Sequence, residues 1–318
     1  DYLVLKTRCN GYSCDNEKIG RAFLLRCPLG ETLNSQRIAV ITDTGTDTPA
    51  AFAREHDVRI VPLRINFSDG STYESGVTIT PEQLVERMAT EVPSTSLPSP
   101  AIIRREFDRA RDDGYVAAIF VSISSGLSAT CDTVRMVADQ LDDFPVEVVD
   151  TRTIGVAAGL VVMEAVRMVE EGITLQHIGA MLELVAHKNS VFFSVKSLDY
   201  LRKGGRISAS VYRLGTALNI KPVITCNEEG AYVVARKARG WERSIDTEIA
   251  LVEEQARKYD KVRVAICCSS ACSDMFDELE ERVLAQVDNA VEVIRSGISA
   301  DLLVHTGPEI VGIAIQGA

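Results

Sequence analysis

No apolar stretch in these 318 residues approaches the roughly 20 residues of a membrane-crossing helix; the longest, Val156 to Val162, runs straight into Glu164 and Arg167. Cations are also short. The 34 Lys and Arg against 45 Asp and Glu leave a formal charge of -11, which excludes the clustered positive surface that sequence-independent nucleic-acid binding requires. The same acidity disfavours anionic membranes. The eight cysteines fall at irregular positions, and neither Cys9 with Cys14 nor Cys268 with Cys272 has a zinc spacing. Read as reduced thiols, they point to the cytoplasm. A nucleotide-phosphate loop, a metal cluster, internal repeats and low-complexity tracts are missing too.

What is present is a chain long enough for two domains, with 46% hydrophobic residues. Residues 1–36 show no clear periodicity and are set aside as an extension of unknown role. From Arg37 onward, short apolar runs alternate with helical patterns, the signature of a parallel sheet flanked by helices. Ile38 to Ile41 reads as a first strand and Val58 to Ile65 as a second. Thr80-Pro81-Glu82-Gln83 is a capping box that starts a helix, and Ser99-Pro100 repeats the device for a helix ending at Gly114. Two consecutive helical patterns after Asp150 break the alternation. Strands Pro222 to Cys226 and Tyr232 to Lys237, joined by Glu228-Glu229-Gly230, predict an antiparallel hairpin. The expected architecture is α/β with two domains: a doubly wound, mainly parallel sheet over 37–165 and a mixed sheet over 166–318. A ligand cleft is expected between them.

The chemistry concentrates at Ser124-Ser125-Gly126-Leu127-Ser128-Ala129-Thr130, which follows the apolar run Val116 to Val121 and precedes a helix. A strand-to-helix turn in a parallel sheet is where such sheets bind ligands, and exposed amides at a helix start attract anions. The hydroxyls there suit a carboxylate or phosphate. The same loop partly imitates the nucleophile elbow of serine hydrolases, although Thr130 stands where glycine is needed. Ser128, Asp150 and His305 follow the chain order of a hydrolase triad, so a small esterase is the rival reading. Thr95 and Ser96 lie in a turn just before Pro98. Arg202-Lys203-Gly204-Gly205-Arg206 is the densest basic patch. Asp43 and Asp47, separated by Gly45, are more simply helix-start anchors than metal ligands.

These blocks, Thr42 to Asp47, Thr95 to Ser99, Ser124 to Thr130, Leu201 to Ser208, Asn219 to Pro222 and His305 to Pro308, together resemble the DegV family of bacterial fatty-acid-binding proteins. That family includes the lipid-presenting subunit of fatty acid kinase. The resemblance implies a carrier without catalytic residues or cofactor that encloses a long-chain fatty acid and presents its carboxylate to a separate kinase catalytic subunit. It assigns the carboxylate to Thr95 and Ser128, with Ser125 as close competitor, Ser124 and Ser96 nearby, and His305 orienting the hydroxyls. Arg206, Lys203 and Lys221 are placed at the ligand entrance or the kinase-docking face. Leu97 and Ala129 stand where the family usually has glutamine and glycine, and Glu309 where glycine is common.

Overall fold

The structure is a computed structural model that describes residues 33–216 and 220–318. Residues 1–32, with Cys9 and Cys14, and Asn219 lie outside the described residues. Strands β1 (Ile38–Asp43), β2 (Arg59–Val61), β6 (Ala117–Ser122) and β7 (Val146–Asp150) form an all-parallel sheet in the order β2-β1-β6-β7. Every residue of β1 and β6 is buried, because both faces of the sheet are covered. Alternate residues take opposite sides. Ile38, Val40, Ile119 and Val121 pack toward α5 (Val156–Glu170) and α6 (Leu175–His187), while Ile41 and Phe120 meet α3 (Pro100–Asp112) and α4 (Thr130–Ala138). Helix α1 (Ala50–Glu55) follows the β1 turn. This is the doubly wound half that the alternating pattern predicts.

Helix starts follow their local chemistry. At α2 (Pro81–Met88), Thr80 Oγ1 accepts from the Gln83 amide at 3.3 Å while Gln83 Oε1 accepts from the Thr80 amide at 2.9 Å. Ser99 Oγ likewise accepts from the Ile102 amide, opening α3.

The expected single strand Val58 to Ile65 is instead two. Pro62, which donates no backbone hydrogen bond, ends β2, and the next amide, that of Leu63, turns to Thr44 Oγ1 at 3.0 Å. The chain then enters β3 (Arg64–Asn66), the centre of a three-stranded antiparallel sheet with β4 (Thr72–Glu74) and β5 (Ser94–Ser96). Strands of three residues carry too little periodicity to register in a sequence.

The second half is a six-stranded mixed sheet in the order β10-β9-β8-β13-β11-β12. It comprises β8 (Asn189–Val195), β9 (Ile220–Cys226), β10 (Tyr232–Arg239), β11 (Val262–Cys268), β12 (Ala290–Ser296) and β13 (Ile310–Gly317). The hairpin of β9 and β10 is antiparallel, as expected, and Gly230 closes its turn at φ 75°. Helices α9 (Trp241–Ala256) and α10 (Phe276–Leu284) cover one face. Toward the other lie α7 (Asp199–Lys203), α8 (Ala209–Thr216) and α11 (Ala300–Thr306). Helix α5 serves both halves: Val156, Leu160 and Met163 join the core of the mixed sheet, and Val161, Val162 and Ala165 join that of the parallel sheet. A helix apolar on all sides is one buried on all sides.

Candidate functional site

Between the sheets lies a cavity of about 390 Å³. Thr95 reaches it from β5, Ser125 and Ser128 from the loop between β6 and α4, and Arg206 from the segment after α7. Tyr232 comes from the start of β10 and His305 from the last turn of α11. The remaining wall is mostly apolar, with Leu63, Ile123, Leu127, Ile154 and Leu302. A greasy interior with a few polar groups at one side is what an amphiphile requires.

Thr95 Oγ1 and His305 Nε2 are 2.7 Å apart, joining residues 210 positions distant in the chain. Burial, followed by the nearby Arg206 charge, pulls the His305 pKa down to about 3, so its ring is neutral at physiological pH. A neutral ring lets Nε2 hydrogen-bond Thr95 without adding charge, and Nδ1 has no hydrogen-bond partner. The ring lies against Gly204: a Cβ there would sit 2.2 Å from Nδ1. Glycine is therefore needed for the close approach. Arg206 supplies the cavity's cation. Its guanidinium donates to the carbonyls of Gly204 at 2.5 Å and Leu127 at 3.3 Å, reaching across the cleft between the two halves. No carboxylate among the described residues pairs with it, and burial holds its pKa below the usual arginine value. A half-buried cation satisfied only by carbonyls is ready for an anion.

The serine loop is more self-contained than its sequence suggests. Ser124 is fully buried and does not line the cavity. Its hydroxyl donates to the Gly230 carbonyl at 2.9 Å and accepts from the Gly126 amide at 3.0 Å, locking the loop to the β9–β10 turn. Ser125 is held by Asp150, amide to Oδ1 at 3.1 Å and hydroxyl to Oδ2 at 2.5 Å. Ser128 Oγ lies 2.8 Å from Thr130 Oγ1 and accepts from the Thr130 amide. If the Thr130 hydroxyl donates, that of Ser128 keeps a proton for a ligand. Ser96 lines the cavity and accepts from Asn66 Nδ2 at 3.1 Å.

The three basic residues part company. Lys203 lines an adjoining groove of about 410 Å³ that shares Thr95, Arg206 and His305 with the cavity. Lys221 lines neither space; its ammonium donates to the Lys196 carbonyl. The esterase arrangement is not assembled. Asp150 holds Ser125, His305 holds Thr95, Ser128 pairs with Thr130, and no hydrogen bond joins any two of Ser128, Asp150 and His305.

Three polar lining residues escaped the sequence reading: Asp132 in the first turn of α4, Asp301 and Tyr232. Asp301 stands one turn before His305 on the same face of α11, a spacing of four that makes them neighbours. Tyr232 opens β10, where nothing in the local pattern marks it. Asp301 belongs to a buried trio with Asp43 and Asp47, in which burial raises all three pKa values, that of Asp43 to about 7. Asp43 accepts from the amides of Gly45 at 3.0 Å and Ile123 at 3.1 Å, while Asp47 Oδ1 accepts from the Ser299 amide at 2.8 Å. The carboxyls of Asp43 and Asp47 anchor backbone, as expected for these two. Among the described residues no group of three His, Cys, Asp or Glu side chains is arranged to hold a metal ion, and no helix is long and apolar enough to cross a membrane.

A family model described as "Uncharacterised protein, DegV family" matches residues 37–317. A DegV domain-containing protein of Clostridium perfringens is 32% identical over 284 residues, covering 88% of this chain and 99% of its own. Among solved structures, one described as "Fatty Acid Binding of a DegV family Protein from Thermus thermophilus" superposes with a TM-score of 0.81 at 30% identity, covering 89% of this chain and 100% of that one. A stearic acid-binding protein of Eubacterium ventriosum gives a TM-score of 0.80 at 25% identity, covering 88% and 98%.

Proposed function

Because the chain belongs to the DegV family, matched over residues 37–317, we propose that it is a cytoplasmic carrier that binds a long-chain fatty acid and presents the carboxylate to a separate kinase. The observation that carries this reading is Arg206: a guanidinium bonded only to two carbonyls, at the rim of an apolar cavity, beside the Thr95 hydroxyl and a neutral histidine. The carboxylate takes a hydrogen bond from Thr95, a second from Ser128, and the charge of Arg206, while Ser125 remains with Asp150. The acyl chain runs inward along Leu63, Ile123, Ile154 and Leu302. Burying ~16 methylenes at about 0.8 kcal/mol each contributes on the order of 12 kcal/mol before ordering costs. Affinity thus comes from the chain, and the polar groups decide which end faces out.

The groove beside the headgroup, lined by Lys203, Ser68, Asn66 and Glu91, leaves the carboxylate approachable from outside. On this reading the protein performs no chemistry itself; the partner kinase brings the phosphoryl donor to that groove. The Thermus and Eubacterium relatives are described as fatty-acid-binding and stearic acid-binding proteins, which supports the ligand class for this chain. Native mass spectrometry of the freshly purified protein, followed by solvent extraction and lipid analysis, tests the proposal. One fatty acid per chain is the expected result. A protein that is empty and takes up no fatty acid when offered it overturns the reading.

A further inference from the structure

Two carboxyl groups line the cavity, and they differ in kind. Asp132 is exposed and pairs with Arg135 at 3.3 Å. Asp301, on α11, is 1% exposed. Its amide donates to Ser75 Oγ at 3.1 Å, but neither carboxyl oxygen has a hydrogen-bond partner among the described residues. The hydroxyls of Thr44, Ser75 and Ser299 stand near without closing a hydrogen bond to it. Asp43 and Asp47, the other members of the buried trio, spend their carboxyls on backbone amides. The Asp301 carboxyl has no such duty. A buried polar group without a partner is destabilising until something supplies one.

Its position says which part of a ligand it meets. Asp301 precedes His305 by one turn on the same face of α11, a rise of about 6 Å. His305 marks the carboxylate end through its contact with Thr95, and Leu302, next to Asp301, belongs to the apolar wall along which the acyl chain runs. With C–C bonds of about 1.5 Å, an extended chain covers ~6 Å in about five carbons. Asp301 therefore meets the first several carbons, where a saturated chain offers only methylenes. Burial raises its pKa and so favours the uncharged carboxyl. An uncharged carboxyl donates one hydrogen bond and accepts another, which suits a hydroxyl rather than a cation. We propose that the cavity is built for a long-chain fatty acid carrying a hydroxyl group on one of its first several carbons, with Asp301 as the residue that recognises it. This rests on the fatty-acid reading above. A plain chain leaves the carboxyl unmet, whereas a hydroxylated one satisfies it while Thr95, Ser128 and Arg206 hold the carboxylate.

The test is competition binding of hexadecanoic acid and its 3-hydroxy, 5-hydroxy and 16-hydroxy derivatives, run on wild type, Asp301→Asn and Asp301→Leu. Wild type should hold the 3-hydroxy or the 5-hydroxy acid about tenfold more tightly than the plain acid, the size of one hydrogen bond to a buried group. The 16-hydroxyl should bring no gain. Asp301→Asn, whose amide also donates and accepts, should keep much of the preference, and Asp301→Leu should reverse it in favour of the plain acid. Each preference is a ratio within one protein, so a variant that folds only in part still reports it. A wild type that binds the plain acid as tightly as the 3-hydroxy and 5-hydroxy acids, an equal gain from the 16-hydroxyl, or a preference that survives Asp301→Leu overturns the assignment of Asp301 and leaves the carrier reading standing. Failure of wild type to bind any of the four acids overturns both.

Discussion

The two polar walls of the cavity make opposite use of similar residues. On the serine loop the hydroxyls are committed nearby or to structure: Ser124 to the Gly230 carbonyl, Ser125 to Asp150, Ser128 to Thr130. The facing wall, assembled from residues 95, 206 and 305, has one hydrogen bond between Thr95 and His305 and an arginine without a carboxylate partner. The first wall is the densest motif in the chain and is mainly architecture. The second is scattered through the sequence and is mainly receptor. The crowded hydroxyls are each taken up by a carbonyl, a carboxylate or another hydroxyl, whereas the groups of the second wall meet with capacity left over.

Arg206→Met breaks the receptor wall most severely. Removing a charge-assisted contact worth about 3 kcal/mol should weaken fatty-acid binding roughly 100-fold with little change in melting temperature; titration calorimetry beside a thermal melt separates the two. If binding holds and the melt drops instead, Arg206 is architecture as well. Ser124→Ala tests the other wall. It strands a buried carbonyl, so about 2 kcal/mol of stability should go by denaturant titration, with fatty-acid affinity within about twofold. Gly204→Ala comes next: its Cβ forces the His305 ring away from Thr95, and affinity should fall about tenfold, as expected for one displaced pair of polar groups. Thr95→Val removes the hydroxyl that donates to the carboxylate, a net loss of about 1 kcal/mol, hence roughly fivefold in binding.

Titration sharpens the comparison along the pH axis. His305 is pulled from 6.5 down to about 3 in the fold, so the unfolded chain binds the proton first; its contribution is present above 6.5 and lost as pH falls toward 3. Asp43 is pushed from 3.8 up to about 7, so its contribution is present below 3.8 and lost as pH rises through 7. Thermal melts across this range should show His305→Gln gaining on wild type toward acid and Asp43→Asn gaining on it toward alkali. Parallel curves for the variants and wild type would mean that neither group is buried as described.

Much of the fold was legible because its signals are local. The capping box at Thr80, the cap at Ser99 and the uninterrupted apolar strand before Ser122 each act within a few residues, and each appears as read. The excursion through β3, β4 and β5 was not, since three-residue strands have no period to detect and Pro62 marks a break without saying where the chain goes next. Of the proposed contacts, Thr95, Ser96, Ser125, Ser128, His305 and Arg206 do line one cavity, while Ser124 turns inward and Lys221 points elsewhere.

The sequence by itself determined the alternation of strands and helices, the hairpin at Gly230, the acidity of the chain and the blocks that mark its family, all properties of neighbouring residues or of composition. Only the tertiary structure decided which hydroxyls are spent and which are available, that His305 is neutral, and that Arg206 faces the cavity bonded to two carbonyls and paired with no carboxylate among the described residues. Burial and hydrogen-bond saturation depend on every segment that packs around a group, and those segments come together only when the chain has folded.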